Sequence, residues 1–356
     1  MKAGLAIAVI PGDGIGPEVT EQAMRVVESV LRAGGHSVEF DELDINADRY
    51  LRTGVALDAA DLDRLGRADA IFLGALGDPR VAPGVLEQGV IVAMRRHFRQ
   101  SVNLRPIRLL PGVSSPLREL ETEACNFVIV RENTEGLYAG GSSSAQMNSP
   151  HAVAIQTSIT TYVATKAVIT YAFELAASRS NRLTVCHKTN ILVDAGRIWS
   201  EVTAEVARDF PDVHVSYAHA DAMTLHMVQR PGSFDVIVTD NLFGDVLSDL
   251  GAAIAGGLGT AASGNLNLDG SAPSMFEPVH GSAPDIAGTG RANPAAAILS
   301  AGLMLEHLGL SEAAELCRRA ASDALLDFAA VGREMNTVQF GDLSLDAVAR
   351  EQLSAG

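Results

Sequence analysis

Short apolar runs alternate along this chain with segments whose apolar residues repeat at helical spacing. Five runs have the length and the β-branched content of buried strands: residues 5–10, 70–76, 126–132, 182–188 and 234–240. The segments with a helical pattern are residues 17–33, 160–178, 198–209 and 294–308. This alternation predicts an α/β protein with a largely parallel sheet.

One segment, residues 138–160, breaks this alternation because it is polar and rich in glycine and serine. Its second half, HAVAIQTSI, alternates in the manner of a strand. The pattern predicts an arm or insertion that projects from the body and contacts another subunit. A plain surface loop agrees with the composition nearly as well.

Composition narrows the class of protein. The 356 residues are enough for two domains, and 47% of them are hydrophobic. The apolar runs are all shorter than the roughly 18 to 20 residues of a membrane span. The N-terminal residues favour a first strand over a signal peptide, and three cysteines without paired spacing indicate neither disulfides nor zinc. A cytoplasmic protein is therefore expected.

The net charge of −16 disfavours binding to nucleic acid or to an anionic membrane. An anionic substrate would need a local group of arginines. Three arginines stand in contexts that are not typical of a surface: Arg95, Arg105 and Arg131. A guanidinium at the end of a buried strand, such as that of Arg131, requires a carboxylate or phosphate partner. An ion pair within the protein would satisfy that requirement equally well.

The stretch IPGDGIGPEV, residues 10–19, invites comparison with the dinucleotide-binding fingerprint G-x-G-x-x-G. Gly12 and Gly14 fit that pattern, but Pro17 stands where the third glycine is required. Proline fits the first turn of a helix better than close packing of helix on strand. We therefore interpret the stretch as a tight strand-to-helix turn and not as a Rossmann phosphate loop.

Three acidic residues are candidates for metal ligands. Asp245 and Asp249 lie four residues apart in DNLFGDVLSDLG, so a helix would place both carboxylates on one face. Asp221 is another isolated acid among small and apolar residues. Carboxylate oxygens suit Mg²⁺ or Mn²⁺ better than zinc. A solvated acidic helix face is the alternative, but arginines and aspartates together predict a polycarboxylate held beside a metal.

These residues belong to motifs that resemble the β-decarboxylating dehydrogenases, which include isocitrate, homoisocitrate, 3-isopropylmalate and tartrate/D-malate dehydrogenases. The motifs follow one another over nearly the whole chain: IPGDGIGPEV, GALGDPR, VNLRPIRLLPGV, VRENTEGLYAG, HKTNIL, ADAMTLHMV, NLFGDVLSDLGA and FEPVHGSAPDIAGTGRANPAAAILSAGLMLEHLG. The resemblance implies an isopropylmalate dehydrogenase-like, non-Rossmann fold of two α/β domains. Residues 1–100 and 255–356 would form the first, cofactor-binding domain. Residues 101–254 would form the second domain, for dimerisation, substrate and metal, with the arm 138–160 clasping a second subunit.

The resemblance also assigns roles to single residues. The three arginines would hold the carboxylates of the substrate. Asp245 and Asp249 would bind the divalent metal together with Asp221 of a second subunit. Tyr138 would protonate the enol product as a general acid, and Lys188, also supplied across the dimer, would assist removal of the hydroxyl proton.

The motif HGSAPDIAG resembles the cofactor loop of the family. The residues that match its cofactor contacts are His280, Gly281, Ser282, Ala283, Asp285 and Asn293. An acid such as Asp285 accepts hydrogen bonds from a ribose 2′-hydroxyl and repels a 2′-phosphate. Members that prefer NADP resemble one another in having a Lys and Tyr pair here instead. The predicted cofactors are therefore NAD and Mg²⁺ or Mn²⁺.

Substrate choice is predicted from the turn before Arg95. Ile91 and Val92 stand where isocitrate enzymes resemble one another in having Ser and Asn, and aliphatic residues favour an apolar 3-substituent such as isopropyl. RENTEG departs from the usual RELTGG of isopropylmalate enzymes, and Gln88 stands where those enzymes place a glutamate, with Glu87 adjacent. The alternatives are D-malate or tartrate, then isocitrate or homoisocitrate. A catalytically silent regulatory subunit is disfavoured because the metal acids, Tyr138 and Lys188 are all present.

Overall fold

The chain divides into two compact units in a computed structural model that describes residues 4–118, 120–330 and 336–355. The first unit comprises Met1–Gln100, Arg108–Thr122 and Ala252–Gly356, and the second comprises Ser101–Ile107 and Glu123–Gly251. The sequence predicts boundaries after residues 100 and 254, and does not anticipate that Arg108–Thr122 returns to the first unit. The α/β class is confirmed in both units.

The first unit contains a sheet with helices around it. Its strands are β1 (Leu5–Gly12), β2 (Val38–Glu42), β3 (Ala70–Ala75), β11 (Ala262–Asn267) and β12 (Ser274–Pro278). Its helices are α1 (Gly16–Ala33), α2 (Ala47–Thr53), α3 (Ala59–Leu65), α4 (Ala93–His97), α9 (Ala295–His307), α10 (Ser311–Ala330) and α11 (Thr337–Ala355). The strand order is β2-β1-β3-β12-β11, parallel except for β11 against β12.

The glycine-rich stretch forms the turn between β1 and α1. Gly12 and Gly14 have positive φ, and a Cβ on Gly14 would lie 1.9 Å from the carbonyl oxygen of Ser282. The amide of Ile15 donates to that same carbonyl at 2.8 Å. Protein backbone thus fills the space above the turn, and the glycines are required because L side chains would collide there.

The second unit has its own strands and helices. The strands are β4 (Gln100–Arg108), β5 (Asn126–Glu132), β6 (Ser142–Ala145), β7 (Val153–Gln156), β8 (Arg182–His187), β9 (His214–His219) and β10 (Val236–Thr239). The helices are α5 (Tyr162–Ala177), α6 (Val193–Val206), α7 (Ala220–Gln229) and α8 (Asn241–Ile254). The sheet order is β4-β5-β10-β8-β9, and β5, β10, β8 and β9 are mutually parallel.

Helix α6 begins earlier than the sequence pattern predicts, at Val193 and not near residue 198. Gly196, in its first turn, reads as a helix breaker in sequence. In the structure a Cβ on Gly196 would lie 2.7 Å from Cα of Thr189, so the glycine serves this close approach. A packing constraint therefore outweighs helix propensity at this position.

The predicted arm contains a two-stranded antiparallel sheet of its own. Strands β6 and β7 pair from Ser142 with Gln156 to Ala145 with Val153, and all their residues are exposed.

None of the helices in the described part of the chain is both long and apolar enough to cross a membrane. Cys125, Cys186 and Cys317 are buried, and none of them forms a disulfide with another described residue.

Candidate active site

Helix α8 carries the two acids that the sequence predicts as metal ligands in one chain. Asp245 and Asp249 lie one turn apart, and their side chains are 40% and 59% exposed. Parallel strands end at one edge of a sheet, and this helix follows β10 at that edge. Arg131 lies near the end of the neighbouring strand β5, which brings its guanidinium to the same place.

Asp245 is the centre of this cluster. Its Oδ1 forms an ion pair with Nη1 of Arg131, whose side chain is 1% exposed. Its Oδ2 accepts a hydrogen bond of 2.8 Å from the hydroxyl of Tyr138. The ring of Tyr138 also lies 5.3 Å from the guanidinium carbon of Arg131. Two predicted site residues thus converge on one carboxylate.

Arg105 completes the cluster from strand β4. Its Nε donates to Oδ1 of Asn103 at 2.7 Å and its Nη1 donates to Oγ of Ser248 at 2.9 Å. Its guanidinium lies 3.6 Å from Oδ1 of Asp249 and 3.9 Å from Oδ1 of Asp245. The structure therefore brings together two acids, two arginines and one tyrosine from distant parts of the second unit.

The electrostatics of the two acids differ. Burial acts to raise the pKa of Asp245, but Arg131, the hydrogen bond from Tyr138 and Arg105 outweigh it and lower that pKa. For Asp249, burial prevails over the attraction of Arg105 and the pKa is raised. Burial and then the hydrogen bond to Asp245 raise the pKa of Tyr138, so its phenol keeps its proton at neutral pH.

Lys188 and Asp221 form a separate pair in the second unit. Nζ of Lys188 lies 2.6 Å from Oδ1 of Asp221, and this hydrogen bond is the main cause that lowers the pKa of Asp221. Asp221 is 70% exposed. Across residues 4–118, 120–330 and 336–355, no group of three or more acidic, histidine or cysteine side chains is arranged to hold a metal. Asp221 from a second copy as the third ligand stays a prediction.

The third predicted arginine, Arg95, lies in the first unit, in the middle of α4. It forms an ion pair of 3.2 Å with Glu277 on β12, and Oε1 of Glu277 also accepts from Asn265 at 2.9 Å. The preceding residues, Glu87–Val92, form a π-helix. Ile91 packs against the hydrophobic core of this unit, whereas Val92 is half-buried and is not part of that core cluster.

The predicted cofactor loop shows two features typical of a ligand-binding segment. Ala283 has a φ of +38°, a strained conformation for a residue with a side chain. Nε2 of His280 is buried without a hydrogen-bond partner among the described residues, and burial lowers the pKa of this imidazole. Gly281, the buried Ser282, Asp285 and the half-buried Asn293 complete the predicted contact set. The loop therefore fits a polar ligand with hydrogen-bonding groups.

Sequence reasoning missed the residues that support this cluster from α8. Asn241 is 1% exposed, accepts hydrogen bonds from Arg131 and donates to the carbonyl of Glu135. Gly244 faces the Arg131 side chain so closely that a Cβ would lie 2.5 Å from its Cγ. A glycine inside a helical pattern is a signal that could have indicated such a contact. Asn241 offers no comparable signal.

A second group of unassigned residues lies at the ends of β5, β8 and β10. Glu132, His187 and Asp240 line a cavity of about 430 Å³ together with Trp199, on which the ring of His187 stacks. Burial lowers the pKa of His187 to about 4 and raises that of Asp240 to about 6. Asp240 also accepts a hydrogen bond from the amide of Phe243, so it caps the helix that carries the acids.

Known proteins similar to this chain decide its family. The sequence model described as isocitrate/isopropylmalate dehydrogenase matches residues 6–343. A 3-isopropylmalate dehydrogenase from Thermobifida fusca is 48% identical over 97% of this chain and 98% of that protein. Another from Corynebacterium kroppenstedtii is 52% identical over 87% of this chain and 91% of that protein. The chain belongs to the isocitrate/isopropylmalate dehydrogenase family.

The fold similarity covers nearly the whole chain. The crystal structure of isocitrate dehydrogenase from Methylococcus capsulatus covers 97% of this chain and 99% of its own, with a TM-score of 0.86 and 34% identity. The predicted two-domain, isopropylmalate dehydrogenase-like class is confirmed. All predicted site residues of this family member fall within the matched range 6–343.

Proposed function

We propose that this chain is an NAD-dependent, divalent-metal-dependent dehydrogenase that oxidises and decarboxylates a 3-substituted (R)-malate, with 3-isopropylmalate as its substrate. The observation that carries the proposal is the cluster of Arg105, Arg131, Tyr138, Asp245 and Asp249. Substrate choice is supported by the relatives: the 3-isopropylmalate dehydrogenases are about half identical to this chain, and the solved isocitrate dehydrogenase is 34% identical. A half-buried aliphatic residue, Val92, one turn before Arg95 agrees with an apolar substituent.

The two arginines of the second unit bind and orient the substrate. Arg105 and Arg131 are 7% and 1% exposed, so each presents a largely desolvated, planar set of donors that suits a carboxylate. In the structure, the carboxylates of Asp245 and Asp249 are the partners of these two guanidinium groups. For Arg95 the proposal rests on the family motif alone.

Two residues handle protons. Tyr138 keeps its phenolic proton at neutral pH because burial and Asp245 raise its pKa, so Oη is able to deliver that proton to the carbon that has lost CO₂. Lys188 Nζ, supplied by a second copy, is proposed to assist removal of the proton of the substrate hydroxyl. Its hydrogen bond to Asp221 holds the amine in one position.

The acids of α8 fit a hard divalent cation. They supply carboxylate oxygens one turn apart, and the nearby arginines are not competing ligands because they have no lone pair to donate. Asp245 and Asp249 would hold Mg²⁺ or Mn²⁺ with Asp221 of a second copy. When bound, the cation supplies Lewis-acid stabilisation of the negative charge that develops during decarboxylation.

A homodimer is proposed because the second unit exposes large apolar side chains on several elements. These include Leu225 and Val228 on α7, Val246 on α8, and Val153 and Ile155 on the arm. Exposed apolar side chains concentrated on a few elements are typical of protein interfaces. A second copy would cover them and would bring Lys188 and Asp221 to the other protomer's cluster.

NAD is proposed to bind at residues 280–293, and Asp285→Lys tests the choice of cofactor. The lysine removes the acceptor for a 2′-hydroxyl and attracts a 2′-phosphate. We expect the ratio of affinities for NADP over NAD to rise at least about tenfold, the factor that corresponds to about 1.4 kcal/mol. Dissociation constants from calorimetry measure this without turnover. Asp346→Lys on α11 changes the net charge equally and serves as the control. An unchanged ratio would contradict the assignment of Asp285.

The proposed activity is tested by following NAD reduction with Mg²⁺ or Mn²⁺ and five separate hydroxy acids. These are 3-isopropylmalate, D-malate, tartrate, isocitrate and homoisocitrate. We expect the highest kcat/KM for 3-isopropylmalate and loss of turnover when EDTA removes the metal. Preference for D-malate or tartrate would replace the proposed substrate. No turnover on any of the five would refute the enzyme hypothesis and favour a regulatory subunit.

A further inference from the structure

The amide of Asn241 is placed between Arg131 and the loop that carries Tyr138. Its Oδ1 accepts from Nε of Arg131 at 3.1 Å and from Nη2 at 2.8 Å. Its Nδ2 donates to the backbone carbonyl of Glu135 at 3.0 Å. Each end of the amide meets a partner of the opposite kind, so its orientation is fixed by two donors on one side and an acceptor on the other.

These contacts show which edge of the Arg131 guanidinium is bound to Asn241. The Nε and Nη2 donors share one edge, and a single oxygen of Asn241 occupies it. The adjacent edge is formed by Nη1 and Nη2, and Nη1, which does not contact Asn241, donates to Asp245. A guanidinium has two such edges that can receive a carboxylate in bidentate fashion. With one edge occupied by Asn241, a bidentate carboxylate can meet Arg131 only through the Nη1–Nη2 edge, whose Nη1 group pairs with Asp245 in the structure.

The same amide also fixes the position of Tyr138. Glu135, whose carbonyl accepts from Asn241, lies three residues before Tyr138, and the Tyr138 ring lies against the Arg131 guanidinium. Asn241 is 1% exposed, so water does not compete for these hydrogen bonds. One side chain therefore sets the relative position of a proposed carboxylate-binding group and a proposed proton donor.

We propose that Asn241 is a positioning residue that directs the Nη1–Nη2 edge of Arg131 to the substrate carboxylate and tethers the Tyr138 loop to the start of α8. The functional part of this inference rests on the proposed oxidative decarboxylation. Its structural part does not, because the hydrogen bonds exist without substrate, metal or NAD.

The structural part is tested by NMR on the full chain labelled with ¹⁵N-arginine. The Nε–H signal of Arg131, identified by its loss in Arg131→Lys, is expected to be sharp and protected from solvent exchange. In Asn241→Ala it should broaden or vanish. Asn241→Asp keeps an oxygen acceptor for Arg131 but loses the donor to Glu135, so it should retain the signal. A protected signal in the alanine variant, or its loss in the aspartate variant, overturns the proposal.

The functional part is tested by kinetics with 3-isopropylmalate. Asn241→Ala is expected to raise KM for the hydroxy acid roughly tenfold or more, because a charged donor group loses its acceptor, while KM for NAD is unchanged. Asn241→Asp is expected to lower kcat because the Tyr138 loop loses its tether. If the alanine variant does not fold, the kcat and the Arg131 Nε–H signal of the aspartate variant test the proposal.

The matched control is Asn126→Ala. Asn126 lies at the opposite end of β5 and also accepts from an arginine, Nη2 of Arg179 at 3.3 Å. It should change neither KM. Equal effects of the two alanine variants, or a parallel rise of both KM values in Asn241→Ala, would indicate a general structural role and overturn the proposal. Absence of wild-type turnover would instead refute the proposed function and leave the NMR result to stand.

Discussion

Asp245→Asn is expected to lower kcat/KM by about a hundredfold or more and to destabilise the metal-free protein, whereas Asp249→Asn should impair activity alone. Both variants lose a carboxylate that is proposed to bind the metal, which accounts for the shared loss of activity. The difference arises from Arg131. Its buried guanidinium is paired with Asp245, and that charge is left uncompensated in Asp245→Asn. Since Asp245 is 40% exposed, we expect a loss of about 1–2 kcal/mol, below the range for fully buried pairs.

The pH dependence separates the two variants further. The pKa of Asp245 is lowered in the folded protein, so its ionised carboxylate stabilises the fold above its ordinary pKa of 3.8. That contribution is lost as the pH falls through the lowered folded value. The pKa of Asp249 is raised, so ionised Asp249 opposes folding at neutral pH. Asp249→Asn should therefore leave the stability of the metal-free protein unchanged or slightly higher.

Thermal unfolding in EDTA at pH 7 and in buffers below pH 3.8, together with steady-state kinetics, checks both variants. The melting temperature of Asp245→Asn should lie a few degrees below that of the wild type at pH 7, and the gap should narrow only as the pH falls below 3.8. Mn²⁺ binding measured by electron paramagnetic resonance should weaken in both. Equal stability losses in the two variants would contradict the special position assigned to Asp245.

The sequence predicts the parts of the fold whose pattern is local. The five predicted strands correspond to β1, β3, β5, β8 and β10, and the helices from residues 17 and 294 agree with α1 and α9 within one residue at each end. These segments are apolar enough for periodicity alone to reveal them. Strands β11 and β12 are not predicted because ASGNLN and SMFEP are rich in small and polar residues. Their burial comes from neighbouring elements and not from their own composition.

The sequence does not predict which acidic residue pairs with which arginine. The i, i+4 spacing places Asp245 and Asp249 on one helix face, but nothing local tells which arginine each will meet. The tertiary structure determines these pairs, because Arg131 pairs with an acid 114 residues away and Arg95 with one 182 residues away. The sequence therefore could not decide whether each arginine binds a substrate carboxylate or forms an ion pair within the protein. The roles of these residues with substrate stay predictions.

Gly244→Ala is expected to lower kcat/KM for the hydroxy acid by about a hundredfold, the cost of misplacing a binding group by roughly 1 Å. In an open helix the same change would add about 1 kcal/mol of stability. Here the new Cβ would lie 2.5 Å from Cγ and 2.7 Å from Cβ of Arg131. The collision is with the stem of a side chain that Asn241 and Asp245 hold at its far end, so the guanidinium must shift with it.

Circular dichroism and kinetics together distinguish this displacement from unfolding, because overpacking of this kind costs about 1–3 kcal/mol and should leave a folded protein. The control is Gly302→Ala on α9, where the nearest atoms to a new Cβ, in Ala314 and Cys317, lie at 3.3 Å. That variant should keep its kinetic constants within about threefold of the wild type, a change of less than 1 kcal/mol. If Gly244→Ala also kept its KM, the close contact with α8 would not be what places Arg131. The glycine would then serve only the packing of the helix.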